Sequence, residues 1–103
     1  MTLRDWLADR EPVPPRILRE RVEALALEIP DQDGETPDQL LAAAEAALER
    51  MAREGTDDRA AALDLLAVDA LVTYAFEFAA QSPDGIPRLS ERAMTRLSAV
   101  GAR

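Results

Sequence analysis

The sequence predicts an all-α fold, a small bundle of four main helices plus a short N-terminal helix. Alanine and leucine are the most frequent apolar residues and only 4% of the chain is aromatic, whereas strands favour β-branched and aromatic side chains. Prolines and glycines divide the chain into segments, and in each segment apolar residues recur every three or four positions, as on one face of a helix. At 103 residues, the chain is long enough for a single core.

Residues 1–11 are predicted to form the short N-terminal helix, an amphipathic arm. Leu3, Trp6 and Leu7 fall on one side of this helix. Tryptophan is common both in cores and at the energetic centres of interfaces, so two interpretations stay open. The arm either folds back on its own domain, or docks on a protein partner or a second copy of the chain.

A proline linker follows at residues 12–15, because three of these four residues are proline and a helix cannot continue through them. Residues 16–103 are expected to form a single helical-bundle domain. Its first helix is predicted to open at Pro15 and to stop at Pro30. The apolar residues of this helix have the spacing of a packing seam: Leu18, Val22, Leu25 and Ile29.

The next helix has the strongest start signal in the chain. Thr36 is predicted as its N-cap, with Pro37 at the first helical position and Gln39 completing a capping box. Gly55 is the residue expected just past its C-terminal end. Its apolar face consists of Leu40, Ala44, Leu48 and Met51.

The longest predicted helix covers residues 57–81 and has Thr56 as its expected cap. It would extend about 37 Å at 1.5 Å per residue. Apolar side chains cover most of its circumference, so we expect other helices to surround it.

Three polar residues on this helix form a narrow polar stripe: Asp69, Thr73 and Glu77. Taking Asp64 as 0° and advancing 100° per residue, they project at about 140°, 180° and 220°. The two carboxylates lie about 12 Å apart along the axis, too far for a shared metal ion or for the roughly 5–9.5 Å of a glycosidase pair. The stripe is interpreted as a solvated edge, or as carboxylates that face an arginine of the last helix or a second copy of the chain.

The last helix is predicted to begin near Pro87 and to carry a positive stripe of Arg88, Arg92 and Arg96. From residue 86 onward the chain has four arginines and one glutamate, a net charge of +3, which leaves −11 for residues 1–85. This helix either docks on acidic neighbours within the chain or binds an acidic partner or a phosphate. Its apolar side is formed by Ile86, Leu89, Ala93, Leu97 and Val100.

Composition excludes several classes of function. The chain has no cysteine and no histidine, so it lacks disulfides, thiolate nucleophiles and the commonest general base and metal ligand. A net charge of −8 disfavours nucleic acid and anionic membrane surfaces, and the N-terminus lacks the apolar segment of a secretory signal. We therefore expect a cytoplasmic protein that is not an enzyme and uses no cofactor or metal; its Ala-, Arg- and Pro-rich composition is typical of a GC-rich bacterial genome.

Two functions follow from these features. The first is protein–protein interaction as a structural, accessory or regulatory subunit that associates with itself as a dimer. The candidate contact residues are the apolar residues of the arm and the positive stripe of the last helix. The alternative is a binder of a small apolar ligand, in a groove beside the longest helix lined by Leu71, Tyr74, Phe76 and Phe78.

Part of that helix also resembles a known enzyme helix. Residues 69–80, "DALVTYAFEFAA", are similar over about a dozen positions to the "GDALL…AFE" helix of trans-isoprenyl diphosphate synthases. The aspartate-rich motif of that family has one candidate counterpart, "DDRAA" at residues 57–61, which lacks the last aspartate. The resemblance therefore implies no activity and keeps open only the apolar groove.

Overall fold

The computed structural model of the protein describes residues 7–10, 13–28, 36–55 and 57–102. Within these ranges the chain forms four helices and no strand, which confirms the predicted all-α class. The short N-terminal helix is not shown, because most of residues 1–11 lie outside the described ranges. The helices are α1 (Arg16–Leu27), α2 (Thr36–Glu54), α3 (Arg59–Ala79) and α4 (Gly85–Ala102).

The predicted helix starts are close to the observed ones but shifted. Pro15 is the N-cap residue of α1 rather than its first helical residue. The predicted cap of α3, Thr56, lies outside the described residues, and the cap in the structure is Asp58, whose carboxylate accepts a hydrogen bond of 2.7 Å from the backbone N–H of Ala61. α4 begins at Gly85, two residues before the predicted Pro87.

Helix α3 lies at the centre of the described fold. It packs against each of the other three helices, and its contact with α2 is the most extensive in the bundle. Small side chains dominate the buried positions of α2 and α3, including Ala44, Ala47, Ala67 and Ala75, which are completely buried. Small side chains allow two helix backbones to approach closely. We call these four alanines the alanine seam.

Leucines from all four helices fill the single core that the sequence predicts. The largest fully buried side chains are Leu25 in α1, Leu40 and Leu41 in α2, Leu71 in α3 and Leu89 in α4. At about 1.5–3 kcal/mol for each fully buried leucine, this cluster is the main apolar contribution to stability.

Two glycines allow the sharp turns between helices. Gly55 ends α2 with a φ of 92°, and its N–H donates a 2.9 Å hydrogen bond to the carbonyl of Met51; only glycine adopts this conformation without steric cost. Gly85 begins α4 against the end of α3, where an added Cβ would lie 1.8 Å from the carbonyl oxygen of Ala79. The turn between α3 and α4 therefore requires glycine at this position.

None of the helices in the described ranges combines the length and apolar character needed to cross a bilayer.

Candidate interaction surface

The two sides of α3 differ sharply in burial. On the inner side, Ala67, Leu71 and Ala75 are completely buried. On the other side, the polar stripe of Asp69, Thr73 and Glu77 is exposed. The exposure of the stripe corresponds to the solvated edge considered from the sequence, and the neighbouring helices cover the rest of α3 only in part.

Two leucines share the open side with the polar stripe. Leu65 and Leu66 are 55% and 57% exposed. Together with Ala62, Asp69 and Val72 they line an open depression of about 710 Å³. We call Leu65, Leu66 and the polar stripe the outer face of α3.

The four residues of α3 predicted to line an apolar groove lie in or against the core. Leu71 is completely buried, and the three aromatic side chains, Tyr74, Phe76 and Phe78, pack partly buried against the core. Phe78 also lines a depression of about 190 Å³ together with Pro37 and Arg88. The depression on the outer face lies nearer the N-terminal end of α3.

Asp64 is a charged residue on the otherwise apolar inner side of α3. Its side chain is only 14% exposed, and it accepts hydrogen bonds from Arg21 of α1 and from Arg50 of α2, the latter with Nη2 3.4 Å from Oδ2. Arg50 also donates through Nη1 to Oε2 of Glu28, at 2.7 Å. Two arginines and two carboxylates thus form one neutral cluster that joins α1, α2 and α3.

The cluster perturbs the ionisation of its members. The hydrogen bond from Arg21 lowers the pKa of Asp64, against the opposing effect of burial, and the positive charges of Arg21 and Arg50 add to the lowering. The same hydrogen bond raises the pKa of Arg21. Both oxygens of Asp64 already accept from arginines, so this carboxylate holds helices together and is not free to act on a ligand.

Two of the three arginines of the positive stripe contact their own chain. Nε of Arg92 donates to Oδ1 of Asp38 at 2.7 Å. Nη1 of Arg96 lies 3.4 Å from the backbone carbonyl oxygen of Asp38. Arg88 is exposed and lines a smaller depression of about 190 Å³ together with Arg92 and Asp84. This corresponds to the intramolecular docking considered from the sequence, and a partner role for these three arginines stays a prediction.

The predicted contact residues of the arm are only partly described. Leu3 and Trp6 lie outside the described residues. Leu7 is 6% exposed and belongs to the hydrophobic core, so at this residue the chain packs on its own domain. The charge of Arg10 acts on the phenol of Tyr74, which places the end of the arm near the C-terminal half of α3.

The described residues offer little chemistry beyond these contacts. Every buried side-chain nitrogen and oxygen among them has a hydrogen-bond partner, and nowhere in the same ranges do three or more metal-binding side chains converge. The outer face of α3 is therefore the feature that calls for a functional explanation. Sequence reasoning missed Leu66, although its angle of about 200° lies inside the polar stripe and could have identified it.

Comparison with protein-family models, curated proteins and solved structures gives no match.

Proposed function

We propose that the protein functions by protein–protein association, with the outer face of α3 as its contact surface and a second copy of the same chain as its partner. In this role it is a structural, accessory or regulatory subunit and carries out no catalysis. It acts in the cytoplasm without cofactor or metal. Its net charge of −8 disfavours nucleic acid and anionic lipid as alternative partners.

The observation that carries the proposal is the exposure of Leu65 and Leu66, two adjacent large apolar side chains on the central helix. Other large exposed apolar side chains, such as Ile17 and Met94, have no such neighbour in sequence. Isolated apolar residues are ordinary on protein surfaces, whereas contiguous apolar patches mark interaction sites.

A second copy is the simplest partner for this surface. In a two-fold dimer the same patch on both copies is buried, so each leucine removed from water is matched by an equivalent leucine in the other chain. Burial of a leucine that is half exposed in the free chain contributes on the order of 1 kcal/mol. The two copies of Leu66 alone therefore supply about 2 kcal/mol towards association.

The test is a charge placed in the patch. We expect the mass measured by light scattering to rise from monomer to dimer with increasing protein concentration. Leu66→Glu should prevent this rise, because a carboxylate in an apolar contact has no partner. The matched control is Met94→Glu on α4, where the side chain is 71% exposed, and this variant should dimerise like the wild type. A wild type that stays monomeric, or an equal loss in both variants, contradicts the proposal.

The alternative function is binding of a small apolar ligand on the same surface. It is favoured by the depression of about 710 Å³, whose lining is apolar except for Asp69. Native mass spectrometry of the protein purified from its host distinguishes the two functions. A monomer that carries an apolar molecule, lost in Leu66→Glu and kept in Met94→Glu, supports the ligand; an unliganded dimer supports self-association.

A further inference from the structure

We infer that the two copies pair through antiparallel α3 helices, about a two-fold axis level with Val68, with Arg59 of each copy opposite Glu77 of the other. The inference rests on the proposed function and specifies the arrangement of the same surface. The chain that covers the outer face of α3 is a second copy of the same protein.

The positions of the two charged residues carry the inference. Arg59 and Glu77 are 18 residues apart, which at 100° per residue is five whole turns, so both side chains leave α3 in the same direction, about 27 Å apart along the axis. That direction, about 220°, is on the side of the polar stripe. Both residues are exposed, and neither forms an ion pair with any described residue.

A two-fold axis requires that residue i of one copy meet residue j of the other, and j meet i. Two residues with the same angular position satisfy this condition when the axis passes midway between them, here at Val68. The pairing then forms two equivalent contacts between Arg59 and Glu77, one at each end of the interface. A parallel pairing would instead place each charge beside its like, which is unfavourable.

The apolar residues fit the same register. Leu66 projects about 20° from the direction of Arg59 and Glu77, two residues from the axis. It therefore lies opposite Ala70 of the second copy, a small and partly exposed residue. The two copies of Leu66 are then about 6 Å apart along the axis. The two copies of Leu66 then lie near the axis, with the Asp69 carboxylates on one flank, and the ion pairs lie at the ends of the interface.

Asp69 provides a second test of this arrangement, independent of Arg59 and Glu77. It lies one residue from Val68 and projects at about 140°, on the flank opposite to Arg59 and Glu77. The two Asp69 carboxylates therefore approach each other near the axis and repel. Asp69→Asn should tighten the dimer severalfold, because it removes the repulsion at almost constant size.

The decisive experiment is a charge-reversal cycle measured by sedimentation equilibrium at low ionic strength. Arg59→Glu and Glu77→Arg should each raise the dissociation constant roughly tenfold, because each converts two attractive contacts into repulsive ones. The double variant should return to within about threefold of the wild type. Arg19→Glu, on the exposed side of α1, is the control and should leave the constant unchanged.

Unfolding of the variants would not explain the expected loss of dimer affinity. Arg59→Glu puts an acid in the first turn of α3 and Glu77→Arg puts a base in its last turn, and both charges complement the helix dipole. Thermal melts followed by circular dichroism, at concentrations low enough to keep every chain monomeric, should therefore be equal to or above the wild-type melt.

The outcomes separate this inference from the proposed function. If the wild type dimerises but the double variant is as weak as the single ones, the antiparallel register is wrong and self-association stands. If the wild type is monomeric at all concentrations, both are wrong. A dimer that then appears only after removal of residues 2–6 identifies the arm as the occupant of the outer face.

Discussion

The inner and outer sides of α3 contain the same kinds of residue in opposite roles. On the inner side leucine is fully buried and the one carboxylate, Asp64, is neutralised by two arginines from neighbouring helices. On the outer side Leu65 and Leu66 are more than half exposed, and the carboxylate of Asp69 is exposed as well.

This difference shows that residue type alone does not decide burial on a helix with apolar residues on every side. The arrangement of the neighbouring helices decides it. The inner side contributes to folding because α1 and α2 reach it with apolar side chains and with the guanidinium groups of Arg21 and Arg50. On the outer side no such contacts cover Leu65 and Leu66, which stay more than half exposed.

Truncation of a leucine should give the largest difference in stability between the two sides of α3. Leu71→Ala should lower the free energy of unfolding by about 2–5 kcal/mol, because it leaves a cavity in the core. Leu66→Ala should change the same quantity by no more than about 0.5 kcal/mol, because the residue is exposed in the monomer. Urea denaturation at protein concentrations low enough to keep the chain monomeric measures both. Similar losses in the two variants would refute the assignment of the two sides.

Neutralisation of a carboxylate should give the next largest difference in stability between the two sides. Asp64→Asn should destabilise the protein by about 1–3 kcal/mol, because two partly buried arginines lose a charged acceptor. Asp69→Asn removes the same charge from the outer face and should have an effect within about 0.5 kcal/mol. Denaturant unfolding at neutral pH is the measurement. An Asp64→Asn variant as stable as the wild type would show that the cluster contributes nothing.

Acid should reduce the effect of Asp64→Asn. The pKa of Asp64 is lower in the folded protein than the ordinary value of about 3.9. Its contribution to stability is therefore fully present above the unfolded pKa and is lost as the pH falls through the lowered folded pKa. The difference between wild type and Asp64→Asn should be greatest near neutral pH and shrink below about pH 4. A difference that is constant with pH would contradict this linkage.

The smallest expected effect concerns Tyr74, beside the polar stripe. Burial, with a further contribution from the negative charge of Glu77, raises the pKa of this phenol. The neutral phenol therefore stabilises the folded state below the ordinary value of about 10, and this contribution is lost as the pH rises through the folded pKa.

Absorbance detects this titration without interference from another phenol, because the chain has one tyrosine. The midpoint of phenolate formation should lie above that of the unfolded chain, and Glu77→Gln should move it downward. A midpoint that is not raised in the folded protein would show that Tyr74 is not partly buried. Tyr74→Phe should remove the corresponding loss of stability at high pH.

The fold was largely predictable because its signals are local. Helix class follows from the spacing of apolar residues, and Gly55 was placed correctly because a helix end needs a residue that tolerates positive φ. The cap of α3 was misplaced because threonine and aspartate are both good caps, and their preference does not say which of Thr56 and Asp58 occupies the position. The polar stripe indicated the exposed side of α3, but the exposure of Leu65, which projects at about 100°, was not predictable, because it depends on which helices pack beside it.

The contacts of the charged residues were less predictable than the helices. Asp64 pairs with Arg21 across 43 residues and Arg92 pairs with Asp38 across 54. No local pattern fixes such distant pairs, since the sequence allows many combinations of 12 arginines with 20 acids. The charge asymmetry of α4 did indicate an acidic neighbour, but it did not identify Asp38.

The alanine seam between α2 and α3 also limits how the protein can evolve. Side chains larger than alanine at these fully buried positions would overpack the core, so a lineage can enlarge one only with compensating exchanges nearby. The exposed residues of the outer face of α3 have no such restriction within the monomer. Descendants of this chain should therefore keep small residues at the seam, while the residues of the outer face vary more freely.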